Sequence, residues 1–264
     1  MKMLIKYLLT IWFLTVQGLT YAEEISPTFM PESEHKEIIY VDKATGELRS
    51  RWNISLKKTF KDKRAVYEIS STGKGDYDKY RDAIWDVKAE IEERGNLLYP
   101  LYSIVALKKT DGLEIKYEKR FEYGKQKIFY TISDSEGNII EETTFPIKGL
   151  TADSVTMTYI LKTFIACRDD KAYKDFYLLS DRGKLYRVTL KLIDREMLDL
   201  PLGSVEAIKL RLIPNLGPLT GIIGSLIPPT FVWYIDQPPY EWLQYQGLET
   251  GIGSTHIRAY LFKR

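Results

Sequence analysis

Cysteine is almost missing from this chain: Cys167 is the only one among 264 residues. A lone cysteine forms neither an internal disulfide nor a paired-thiol motif, so the fold must be held by its core. Histidine is nearly as scarce, with only His35 and His256. The spacings HExxH and GxSxG do not occur, which argues against the common zinc and serine hydrolase types. Neither histidine sits in a motif that would make Cys167 a nucleophile, and a buried, inert thiol is expected. No catalytic residue, metal ligand or cofactor is assigned from the sequence. An excess of charge is lacking too: 38 Lys+Arg stand against 36 Asp+Glu. Setting aside Lys2 and Lys6 leaves 36 against 36, with no pull toward nucleic acid.

Long apolar runs are limited to Tyr7 to Val16, shorter than the ~20 residues of a spanning helix. With Lys2 and Lys6 ahead of it and Thr20-Tyr21-Ala22 behind, that stretch reads as a signal peptide cleaved after Ala22. Glu23 follows the cut, so no cysteine is placed to carry a lipid there. The expected product is a periplasmic protein with no transmembrane anchor after cleavage. Residues 1–22 are then the signal peptide, 23–36 an extended leader, and 37–264 a single β-rich domain. An aromatic content of 13%, including 19 tyrosines, supports a sizeable sheet-based core.

Period-two alternation dominates that domain. Trp52, Ile54 and Leu56 alternate with Arg51, Asn53 and Ser55, which puts one apolar row on one face. Strands are expected at Ile38 to Val41, Leu48 to Lys57, Ala65 to Ile69, Trp85 to Glu92, Leu97 to Leu107, Leu113 to Tyr123, Lys127 to Ser133 and Ile139 to Phe145. Turns fall at Gly46, Gly95-Asn96, Asp111-Gly112 and Glu136-Gly137-Asn138, and STGKGD (Ser71 to Asp76) also reads as a turn. Tyr77 to Glu93 fits both helical and strand templates, and Tyr77 to Asp82 is left as a helical turn at most. Phe176 to Leu179, Leu185 to Ile193 and Val205 to Ile213 supply three later strands.

One helix stands out at Ala152 to Ala166, where Met157, Ile160, Leu161, Phe164 and Ile165 make an apolar stripe, with Thr151 as its cap. The fold expected is mainly β: a curved antiparallel sheet, half-barrel or open barrel, with one main amphipathic helix packed on it. Leu216 to Pro229 is apolar yet rich in glycine and proline, and suits neither helix nor central strand. Phe231 to Ile235 and Ile257 to Leu261 complete the sheet, while Pro238-Pro239 keeps the turn between them from pairing in register.

The segments LTADSVTMTYILKTF (Leu150 to Phe164), FYLLSDRGKLYRVTLKLID (Phe176 to Asp194) and LGSVEAIKLRLIP (Leu202 to Pro214) resemble a periplasmic family, domain of unknown function 3108. NLLYPLYSIVALKKTDG and KRFEYGKQKIFYTI also fit its order of segments. The resemblance implies an exported β-rich protein with a sheet similar to the half-barrels of periplasmic lipoprotein carriers, and it carries over no catalytic residue.

Three functions follow from this reading. The first is a non-enzymatic carrier of a lipid or other apolar ligand such as an acyl chain, with Trp52, Trp85, Trp233 and Trp242 as candidate cavity walls. The second is an interaction factor in envelope assembly or polysaccharide export that binds an envelope protein. Its contact, or the lid of a carrier, would be Leu219, Ile222, Ile223, Leu226 and Ile227. The third is a glycan or lipid hydrolase using Glu241 and Glu249 beside Trp242. The basic cluster Lys57, Lys58, Lys61, Lys63 and Arg64 reads as a solvated hairpin tip or a contact for anionic headgroups.

Overall fold

Alternating residues that are apolar on every second position can hide one face only by curling or by covering it, and this chain does both. The computed structural model describes residues 30–77, 79–95, 97–109, 112, 114–166, 174–217 and 227–264. The expected signal peptide, its cleavage site and Cys167 lie outside the described residues. Strands β1 (Ser33–Asp42), β2 (Leu48–Lys61), β3 (Arg64–Tyr77), β4 (Tyr80–Arg94), β5 (Leu97–Lys108), β6 (Glu114–Glu122), β7 (Lys127–Asp134) and β8 (Ile139–Pro146) form a meander. After a short β9 (Thr151–Asp153) and the helix α1 (Met157–Ala166) come β10 (Lys174–Leu179), β11 (Leu185–Leu200), β12 (Gly203–Asn215), β13 (Thr230–Tyr234), β14 (Trp242–Leu248) and β15 (His256–Lys263).

All fifteen strands share one open sheet, ordered β8 down to β1, then β15 down to β9. Every pairing is antiparallel except β9 with β10. The C-terminal strand pairs β1, Ile38 opposite Leu261 and Tyr40 opposite Ala259, so it joins the two halves in mid-sheet. Across the Pro238-Pro239 turn, β13 and β14 pair directly, contrary to the expectation from the prolines: Tyr234 faces Trp242, and Ile235 N–H donates to the Glu241 carbonyl at 2.9 Å.

Three other local expectations are corrected. The last residues of the supposed leader are already strand, because β1 pairs with β2 from Ser33 onward. Ser71 to Asp76 is not a turn but the outer half of β3, paired to both neighbours. Its glycine serves a large neighbour: a Cβ on Gly73 would lie 2.0 Å from Trp85 Nε1, so only glycine lets that indole cross the strand. Tyr77 to Asp82 is a hairpin connection, with Tyr77 opposite Tyr80, and Trp85 to Glu92 is strand as read.

The helix begins at Met157, where its apolar stripe begins, and not at the expected Ala152. Ala152 and Asp153 belong to β9, and Thr156, not Thr151, ends the non-helical segment. The Thr156 carbonyl accepts the first helical bonds, from Tyr159 and Ile160 N–H at 3.0 Å each. Its backbone N–H and Oγ1–H both donate to Asp153 Oδ1, at 2.8 and 2.7 Å. A short acid before a helix competes in this way for backbone donors and holds the preceding residues out of the helix.

Helix α1 is enclosed, not laid on a surface: Tyr159, Ile160, Leu161, Lys162, Thr163 and Ile165 are all buried. Its side chains share one core with Ile38, Leu56 and Ile69 from one half of the sheet and Leu190, Leu210 and Val232 from the other. A helix buried on nearly all sides draws its stability from packing, since ten residues are too few for an isolated helix. The sheet wraps it so far that its β9 end meets the inside of β5 to β7. Ser103 on β5 hydrogen-bonds the Asp153 carboxylate, and Tyr130 on β7 donates to the Asp181 carbonyl at 2.9 Å. The curl is thus fastened by side chains, while no backbone ladder joins β8 to β9. No described helix is long and apolar enough to cross a membrane.

Candidate ligand-binding trough

Side chains of one parity from each strand point at the helix. From the N-terminal half these include Ile38, Tyr40, Trp52, Ile54, Ile69, Val87 and Val105; from the other half, Tyr186, Val188, Leu212, Tyr245 and Ile257. They do not fill the space around α1. Two cavities remain, of about 160 Å³ and 230 Å³. Cavities of about 150 Å³ suffice for a benzene-sized group, so each exceeds a packing defect. Tyr40, Ser154, Thr158, Asp181, Trp242 and Glu249 belong to the walls of both, which makes the two spaces adjoining compartments of one trough.

The shared wall carries two carboxylates, and both are paired. Glu249 accepts two bonds from Arg49, from Nε at 3.3 Å and Nη2 at 2.9 Å, in a fork-to-fork pair whose side chains are 1% and 8% exposed. Asp181 accepts from Lys119 Nζ at 2.5 Å, Tyr77 Oη at 2.9 Å and Ser154 Oγ. Burial pushes the Asp181 carboxyl up, but the Lys119 charge and these three bonds outweigh it and hold it below the ordinary 3.8. For Lys119, burial acts downward, and the fields of Asp181 and Asp153 reverse it to a net rise above 10.5. A lysine so held stays protonated, so it is no base for Ser154, although Ser154 Oγ lies 3.4 Å from Nζ. Burial, then Glu249, then Tyr245 raise the Tyr40 phenol far above its usual range, leaving it a neutral donor.

The sequence-predicted residues are distributed unevenly. Trp52 lines the first cavity, and Trp242 stands between both. Trp85 lines neither: it is 1% exposed and lies behind Trp52, with ring centroids 4.9 Å apart. Trp233 also lines neither, because it alternates with Val232 and Tyr234 and so projects to the opposite face. There its Nε1–H donates to Glu196 at 2.6 Å, and Lys209 Nζ lies 5.1 Å from its ring. Ile227 borders the second cavity together with Leu216, while Leu219, Ile222, Ile223 and Leu226 lie outside the described residues. Glu241 is held by Arg264 at 2.6 Å and is not on the wall it was imagined to share with Glu249.

The basic hairpin is matched by acids on the next strands. Lys61 pairs with Glu68 and Glu90 at 3.1 and 2.5 Å, Arg64 with Glu92 at 3.1 Å, and Lys58 with Glu93 at 3.3 Å. Its local charge is largely cancelled. Lys162 was hidden from sequence reading. It sits on the helix face opposite the apolar stripe, where a lysine reads as solvent-facing, yet the wrapped sheet buries it to 1% exposure and puts it in the wall of the first cavity.

No protein-family model matches the chain, so the resemblance to domain of unknown function 3108 has no family match behind it, and no curated protein matches the sequence. Three solved structures are similar in outline. A β-barrel-like protein of domain of unknown function 1849 from Brucella abortus is 11% identical over 87% of this chain and 95% of its own, with a TM-score of 0.44. A protein described as a candidate lipoprotein from Parabacteroides distasonis is 9% identical over 90% and 98%, with a TM-score of 0.34. A protein described as a candidate exported protein with YmcC-like fold from Bacteroides fragilis is 10% identical over 90% and 98%, with a TM-score of 0.31.

Proposed function

We propose that the protein is a non-enzymatic carrier of the cell envelope, exported to the periplasm, that holds an acyl chain in the trough around α1. The observation that supports this reading is the pair of adjoining cavities, walled mainly by aliphatic and aromatic side chains and joined at Trp242. An elongated apolar ligand spanning both gains roughly 0.8 kcal/mol for each methylene taken out of water. The carboxylates on the shared wall favour the same reading, since both are tied to cations and shaped as supports for the trough. Native mass spectrometry of gently purified protein tests it, together with uptake of an environment-sensitive fluorescent fatty acid. A retained mass of one acyl ligand, displaceable by the probe, is expected. A clean ligand-free species that also fails to take up the probe overturns the carrier reading.

A further inference from the structure

The two ends of the trough differ in how their charges are met. At the Asp181 end the acids are matched: Lys119 faces Asp181, and Arg49 faces Glu249. At the opposite end of the first cavity stand Lys162 on α1, Glu34 and Lys36 on β1, and Glu241 with Arg264 nearby. Lys36 Nζ lies 2.6 Å from Glu34 and 3.6 Å from Glu241, and Glu241 is also held by Arg264 at 2.6 Å. Both acids therefore have their own cations.

That leaves Lys162. Lys162 is 1% exposed, its Nζ has no hydrogen-bond partner, and the Tyr159 ring lies 5.8 Å from it. Two more buried donors without a partner, Ser71 Oγ–H and Trp242 Nε1–H, belong to the wall of the same cavity. A buried polar group without a partner costs far more than a paired one, and most so when it carries charge. Burial lowers the Lys162 ammonium to about 8, with Glu34 opposing that shift, so it remains mainly protonated at neutral pH.

We propose that the ligand of the trough is an acyl chain ending in an anionic headgroup, a long-chain carboxylic acid whose carboxylate is received by Lys162 while its tail runs past Trp52 and Trp242. The inference rests on the carrier reading and adds the chemistry of the head. A carboxylate at this place supplies the missing acceptor and balances the extra positive charge. A neutral alcohol of equal chain length supplies neither.

The test compares palmitate with hexadecanol and with a lysophosphatidic acid of the same chain on the full chain, by displacement of a fluorescent fatty alcohol. Wild type and the variants Lys162→Met and Lys162→Arg are used, with circular dichroism confirming that each is folded. Wild type is expected to bind palmitate at least about tenfold more tightly than hexadecanol, as a charge-assisted hydrogen bond implies. Lys162→Met is expected to abolish that preference by weakening palmitate, and Lys162→Arg to restore part of it. A stronger preference for the lysophosphatidic acid, lost in the same variant, would overturn the carboxylate assignment in favour of a phosphate head. Equal binding of palmitate and hexadecanol by wild type would overturn the headgroup proposal and leave the carrier reading standing. Binding of none of the three would overturn both.

Discussion

Lys119 Nζ lies 2.5 Å from Asp181 Oδ1, and the two residues come from opposite halves of the sheet, with no backbone ladder directly between them. Lys119 is on the meander, in β6; Asp181 is in the turn that links β10 to β11. With Tyr77 and Ser154 on the same carboxylate, the pair fastens the free end of the curled sheet to its interior.

Removing one partner should therefore open the curl. Asp181→Asn takes the paired carboxylate from a fully buried ammonium, leaving only the field of Asp153, and is expected to cost about 3–5 kcal/mol in urea unfolding. The double variant Lys119→Met with Asp181→Leu should recover most of that loss, because it removes both charges and fills the space. A single-variant cost below about 1 kcal/mol would show that the pair does not fasten the sheet.

The same pair sets a pH window. Asp181 titrates below the ordinary 3.8 in the folded protein, so its contribution is present above that value and is lost as pH falls further through the folded one. Lys119 titrates above 10.5 when folded, so its contribution is present below 10.5 and lost as pH rises beyond. Unfolding temperatures measured from pH 2 to 6 should fall steeply below about pH 4 in wild type. In the double variant that acid step should be smaller.

Lys162 gives the opposite sign. Its folded value of about 8 lies under the ordinary 10.5, so between those limits the unfolded chain binds more protons and stability rises with pH. The penalty below that range is on the order of 3 kcal/mol. Lys162→Met should thus be more stable than wild type at pH 7, by up to about that amount, with the difference fading above pH 10. Equal stability at pH 7, measured by chemical denaturation, would contradict the buried unpaired ammonium.

Gly73→Ala tests the aromatic layer behind the trough. The new methyl would collide with the Trp85 indole, which also packs on Tyr77 at 5.3 Å and Trp52 at 4.9 Å. Overpacking here is expected to cost about 1–3 kcal/mol and to change the near-ultraviolet circular dichroism of the tryptophans. Unchanged stability and an unchanged spectrum would mean that the methyl is accommodated without displacing the indole.

Much of the fold was legible because alternation survives in local sequence. The row Trp52, Ile54, Leu56 and the turn residues of the meander gave strands β1 to β8 nearly in place. Two kinds of feature were not legible. One is geometry made by a distant neighbour, as when Gly73 yields to Trp85 and STGKGD is strand where its composition suggests a turn. The other is burial decided by the whole sheet: Lys162 and Asp181 look like a helix-surface lysine and a turn aspartate until the curl encloses them. The same reason separates the four tryptophans, since alternation sets their faces locally but only the curl of the open sheet tells which face surrounds a cavity.

The pairing of β1 with β15 has a consequence for how the trough comes into being. Every other neighbouring pair in the sheet is built from consecutive strands, and this one alone stitches opposite ends of the described chain. Sequence-distant pairing of this sort is slow, since the intervening chain must be brought to order before the contact rewards it. Until that seam forms, each half presents a raw central edge open to foreign strands. Losing residues 256–263 would not trim a border but split the sheet down its middle. The trough therefore belongs to neither half and arises only when β15 docks.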